Sequence, residues 1–161
     1  VDWRNRIVGH GDADPEDLLA NPGNWRIHPS AQQDALLAVL DEVGLVQTIV
    51  VNQRTGFVVD GHLRIQLALR HEQATVPVTY VDLSAAEERI VMAALDATSH
   101  MGAPDEEKLG ELLAAIAAEE PHLSELVAAI AAEYEVVPEA EPEPRDPKTI
   151  TCPACGHEFE L

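Results

Sequence analysis

Between residues 45 and 82 the chain sets three β-branched runs, LVQTIVVN, FVVD and VPVTYVD, around one helix-period segment at 61–72, and that alternation constrains the fold most. Runs rich in Val, Ile and Thr read as strands, and the intervening Arg54-Thr55-Gly56 is a turn short enough to pair the first two. The third run carries Pro77 near its start, at a position a strand tolerates. Neither an all-helical nor an all-strand fold accommodates this order.

The flanks complete an α+β reading: a small mixed sheet with helices packed on it and a helical C-terminal extension. Pro15, Pro22 and Pro29 forbid a long helix near the start, where RIVGH reads as an extended piece. Ser30 is positioned to cap an amphipathic helix whose stripe is Ala35, Leu36, Val39, Leu40 and Val43, with Gly44 as the stop. From Ser84 onward the period is helical, and Ser84 with Glu87 has the spacing of a capping box. Two further helices carry Leu109, Leu112, Leu113 and Ile116, then Leu123, Leu126, Val127 and Ile130. The expected organisation is a domain over 1–104, a helical extension over 105–135, a Pro/Glu linker over 136–149 and a Cys-x-x-Cys tail over 150–161. Trp3, Phe57 and Tyr80 are expected in the core or the strands, and Trp25 against the first helix.

The formal charge of −19 is uneven: residues 1–81 hold ten acids and six Lys or Arg, whereas 82–161 hold nineteen acids and four. So acidic a C-terminal half repels a phosphate backbone, and any DNA contact is expected to be weak or indirect. No apolar run approaches the length of a membrane span and the first residues do not read as a signal peptide, so a cytoplasmic location without membrane contact is expected.

DGHLR, residues 60–64, is the stretch with chemical content. A strand ends, a glycine turns the backbone, and a helix begins with free N–H groups and the positive end of its dipole pointing outward, a geometry suited to phosphate. A cation in a first turn is mildly unfavourable unless an anion sits before it, which makes Arg64 a candidate bidentate phosphate ligand. The alternative is that Asp60 caps the helix, Gly61 makes a turn and Arg64 is solvated. A salt bridge locking Arg64, or side chains plugging the turn, would count against the ligand reading.

This turn, together with VGLVQTIVVN before it and VPVTYVDLSAAEERIVMAALD after it, resembles the ParB/sulfiredoxin superfamily over residues 6 to about 118. ParB members carry Gly-Glu-Arg-Arg at this point and sulfiredoxins Gly-Cys-His-Arg; the Asp-Gly-His-x-Arg form is similar to ParB-like domains of phages and prophages, often labelled nucleases. NPGNWRIHP is similar to the family's N-terminal box, and Gln47 matches the glutamine of its Gly-x-x-Gln-Pro stretch, with Thr48 in place of proline. The resemblance implies a nucleoside triphosphate, CTP or ATP with Mg²⁺, held by Gly61, His62 and Arg64 with help from Arg26 and Gln47. His62 and Asp96 are the catalytic candidates. His62 stands where sulfiredoxin has its cysteine, which argues against sulfinic acid reduction. Asp96 takes the acidic position of the ParB Glu-Asn-x-x-Arg box, but Ala97 and His100 depart from it, which leaves nucleotide hydrolysis and phosphotransfer open. No cluster of acids and histidines is spaced for two metals, against a nuclease.

CPACGHEF is a separate signal. Cys152 and Cys155 can supply half of a tetrahedral zinc shell, with His157 the nearby third candidate and a second chain or a partner protein as the other source. Three functions remain: a nucleotide-binding domain in phage or mobile-element DNA metabolism, a non-catalytic adaptor recruiting a protein through the knuckle and acidic helices, and a small-molecule kinase sharing the turn.

Overall fold

The computed structural model describes residues 2–138, 149–151 and 158–160. The chain divides into two compact units, Val1–Ala103 and Pro104–Leu161.

The first unit is built on a four-stranded mixed sheet. Its elements in chain order are β1 (Ile7–Ala13), α1 (Ser30–Glu42), β2 (Ile49–Asn52), β3 (Val58–Asp60), α2 (His62–Arg70), β4 (Val76–Val81) and α3 (Ala85–Ser99). The strands lie in the order β1-β4-β2-β3. β2 and β3 form the expected hairpin, with Val50 opposite Asp60. β4 runs parallel to β2, Ile49 beside Val78, and antiparallel to β1, Gly11 beside Val78. With period-2 alternation, Ile49, Val51, Val58, Val76 and Val78 face one way and pack with Ile65 and Ala68 of α2 in a single buried cluster. The α+β expectation holds.

Several local signals have the anticipated geometry. Ser84 accepts from the Glu87 N–H while the Glu87 carboxylate accepts from the Ser84 N–H, so the capping box is complete. Gly44 ends the α1 region at φ +88°, its N–H donating to Leu40 O at 3.0 Å. Others differ. Ser30 is the first residue of α1 rather than its cap; Pro29 holds the capping position and provides no side-chain bond. The stripe on α1 is only half-buried, and Val43 lies 66% exposed. Trp3 is not a core residue but 95% exposed.

The free edge of β3 is covered by the preceding loop. Val58 donates its N–H to Leu19 O at 2.9 Å, and Leu19 bridges Phe57 in parallel. This bond places the NPGNWR segment beside the strand that leads into Gly61.

The second unit contains α4 (Glu106–Glu119) and α5 (Ser124–Glu133), joined through a 3-10 turn at Pro121–Leu123, then a two-stranded hairpin of β5 (Thr149–Thr151) and β6 (Glu158–Glu160). Asp105 caps α4 by accepting from the Lys108 N–H. Leu113 and Val127 of the anticipated stripes are buried, while Leu112 is 59% exposed. Val136, which composition assigns to the linker, is also buried. Among the described residues no helix is long and apolar enough to cross a membrane.

Candidate functional site

The junction between β3 and α2 depends on glycine for two reasons. Gly61 sits at φ +96°, where a β-carbon is disfavoured. Such a carbon would also lie 2.7 Å from Ile49 Cδ1 and 3.3 Å from Ile49 Cα, on a wholly buried residue of β2. The close approach of the two strands lets the backbone swing directly from sheet to helix.

The first bond into α2 runs from the Ile65 N–H to Gly61 O at 3.1 Å, so the amides of His62, Leu63 and Arg64 precede the helical ladder. No side chain caps this terminus. The alternative in which Asp60 serves as the cap therefore fails: its carboxylate lies instead 3.6 Å from Arg64 Nη1. Nor is Arg64 solvated, since its side chain is only 16% exposed.

Arg64 Nη2 donates to Gln47 Oε1, which brings two of the anticipated residues together. Asp60 does form a salt bridge with Arg64, which counts against the ligand reading, but at 3.6 Å it is longer than a charge-assisted hydrogen bond and is no bidentate clamp. Arg26 is engaged more closely: its Nη1 lies 2.6 Å from Asp96 Oδ1, joining the N-terminal box to α3. That guanidinium also lies 5.9 Å from the centre of the Trp25 ring. Trp25, anticipated against α1, donates its indole N–H to Met92 O of α3 at 3.0 Å and is 57% exposed.

His62 receives the Asn21 N–H on Nε2 at 3.4 Å. Burial pushes its pKa below the ordinary histidine value; Asp60 opposes this, His28 adds to it, and Asp96 opposes it more weakly. The shift favours the neutral ring. With Nε2 accepting, the remaining ring proton resides on Nδ1.

These groups surround one cavity of about 150 Å³. Of the anticipated nucleotide residues, Gly61, His62, Arg64 and Arg26 line it directly, as does the catalytic candidate Asp96, and His28 and Trp25 join them. Gln47 reaches it only through Arg64. Apolar side chains of Leu36, Met92 and Leu95 complete the wall. Cys152, Cys155 and His157 lie outside the described residues.

A second polar cluster escaped the sequence reading. The Glu88 carboxylate is 8% exposed and accepts from Asn21 Nδ2 at 3.0 Å, Asn52 Nδ2 at 2.5 Å and Thr55 Oγ1 at 2.7 Å. Asn52, wholly buried at the end of β2, also bonds both Leu83 O and the Leu83 N–H. Burial pushes the Glu88 carboxyl up, but the bonds from Asn52, Thr55 and Asn21, aided by the Arg89 charge, outweigh it and hold the pKa below the usual carboxylate range. Asn21 belongs to both clusters, its side chain serving Glu88 and its N–H serving His62. A weak signal existed: an asparagine closing the apolar run IVVN, and a second glutamate directly after the one used for capping.

No family model matches the chain, and no curated protein matches it in sequence. Similarity appears at the level of solved structures. The C-terminally truncated chromosome-partitioning protein ParB from Caulobacter crescentus, complexed with CTP-γ-S, superposes with a TM-score of 0.58 at 19% identity, over 79% of this chain and 77% of that one. Two structures of Pnob8-like ParB N-domains align at TM-scores of 0.48 and 0.49, with 15% and 14% identity, covering 82% and 99% of this chain and 52% and 56% of theirs. The first superposition shows that the chain shares the fold of a ParB protein.

Proposed function

We propose that this chain binds a nucleoside triphosphate, CTP or ATP with Mg²⁺, at the β3–α2 junction, and serves the DNA metabolism of a phage or mobile element. One observation carries the reading: a left-handed glycine that a β-carbon would block, followed by three first-turn amides and the Arg64 guanidinium, on the wall of a polar cavity. That donor set suits a polyphosphate. The structural relative with the same fold holds CTP-γ-S, which supports the nucleotide class.

The geometry suggests how the parts would divide the work. Arg64 would exchange its contacts with Gln47 and Asp60 for phosphate oxygens, and Arg26 would have to loosen from Asp96 to join it. Asp96, once released, would join Asp60 as an acid on the cavity wall able to meet a phosphate-bound Mg²⁺. His62, neutral with Nε2 already occupied by the Asn21 N–H, is better suited to donate from Nδ1 than to act as a general base. At about 150 Å³ the cavity is smaller than a typical small-molecule pocket of about 300 Å³ or more, so it would take the phosphates and leave the nucleoside at its mouth. Isothermal titration with CTP, ATP and ADP in magnesium tests the reading. Saturable heat with a triphosphate is expected, and its absence for all three would remove the proposal.

A second reading, that of an adaptor, has its own support. β5 and β6 pair antiparallel with Thr151 opposite Glu158, so the six residues 152–157 connect a paired hairpin. The intervening sequence Cys-Pro-Ala-Cys-Gly-His offers Cys152, Cys155 and His157 as zinc ligands, with a fourth ligand from a second copy or a partner. Metal analysis of protein purified without chelator should find zinc, and Cys152→Ser should lose it. If Cys152→Ser abolished the biological effect while Arg64→Ala preserved it, the adaptor would be the working part.

A further inference from the structure

We propose that Trp25 is the platform on which the base of the bound nucleotide stacks, an inference that rests on the nucleotide reading above and deepens it.

Trp25 is unusual for a large aromatic residue. It lines the same cavity as Gly61, His62 and Arg64, yet keeps 57% of its surface exposed. An indole left in water forgoes most of the gain of burial. It is nevertheless fixed in place: the indole N–H is anchored on Met92 O at 3.0 Å, and the Arg26 guanidinium lies 5.9 Å from the ring centre. An exposed but oriented ring at the rim of a phosphate-sized cavity is arranged to meet a flat group with a π-face attached to whatever fills the cavity. A nucleobase has that form, and aromatic stacking accepts any base because each presents a π-face.

The neighbouring residues divide the ligand along its length. Arg64 and the α2 amides lie at one wall, while Arg26 follows Trp25 directly in sequence and carries its charge into the same cavity. A triphosphate seated at Gly61 would therefore have its charged end at the helix terminus and its nucleoside toward the indole. This assigns phosphate recognition to α2 and base affinity to the N-terminal box, with little discrimination among bases.

The test compares a ligand with a base and one without. In a Trp3→Phe background, which leaves Trp25 as the only tryptophan, CTP and ATP in magnesium should quench its fluorescence, whereas inorganic tripolyphosphate should bind with little quenching. Trp25→Ala should weaken CTP and ATP by about tenfold and leave tripolyphosphate within about twofold. Trp25→Phe, which keeps a flat ring without the N–H, should restore most of the difference. Equal weakening of all three ligands by Trp25→Ala would overturn the platform, since the residue would then act by shaping the cavity or holding Arg26. Should the unaltered protein bind tripolyphosphate as well as CTP, the platform fails and the phosphate cradle stands. If it binds neither, both readings fall.

Discussion

Two polar clusters lie within a few residues of each other and are built on opposite terms. Around Glu88, donors and acceptors match: Asn21, Asn52 and Thr55 meet both carboxylate oxygens, and Asn52 closes on the Leu83 backbone. Around Gly61 the amides of the first helical turn precede the ladder, and Arg64 is held by a neutral amide and a distant carboxylate. Among the described residues no buried side-chain nitrogen or oxygen lacks a partner, so this difference is one of arrangement rather than of faulty packing. A cluster that satisfies itself can only hold structure. One with donors to spare on the wall of a cavity can hold something else.

Substitutions can break that contrast. Gly61→Ala should be the most damaging to the fold, at about 3 kcal/mol, because it combines a left-handed backbone with a methyl driven into Ile49. A urea midpoint close to that of the unaltered protein would show that the junction has slack. Glu88→Ala should follow, costing roughly 2 kcal/mol by leaving two buried amides without their acceptor. Because the folded Glu88 pKa is depressed, its stabilisation is fully present above the unfolded carboxyl value and is lost as pH falls through the folded one. Acid denaturation of Glu88→Gln should be correspondingly less steep, as followed by circular dichroism. Arg64→Ala should matter least to stability, by about 0.5–1 kcal/mol, while lowering nucleotide affinity at least tenfold in calorimetry. Were Arg64→Ala as destabilising as Glu88→Ala, the two clusters would be alike and the distinction would collapse.

What could be read in advance follows from the range of the forces involved. Strand identity in IVVN, FVVD and VPVTYV, the Ser84–Glu87 box and the Gly61 turn depend on neighbours a few residues apart, and the chain displays them. Burial depth does not. The periodicity of α1 gives a face, but only the surroundings decide that Leu36 and Val39 stop at half-buried while Val43 is exposed. Likewise Leu45 and Val46 look like the start of a strand, yet β2 begins at Ile49, where β4 supplies a partner. At the candidate site, Gly61 and Arg64 were legible because a sharp turn has a local signature. The Arg26–Asp96 pair and the Asn21–Glu88 bond join residues about seventy positions apart, and no local pattern announces them.

The bond from Val58 to Leu19 has a consequence for how such a molecule can change. It ties together, by main chain alone, the loop that delivers Asn21, Trp25 and Arg26 and the strand that delivers Asp60 and Gly61. Both lips of the recess thus share a main-chain stitch, to which the Asn21 N–H adds a bond to the His62 ring. Exposed rim positions such as Trp25 can therefore vary without disturbing that tie, whereas Gly61 and Asn21 cannot.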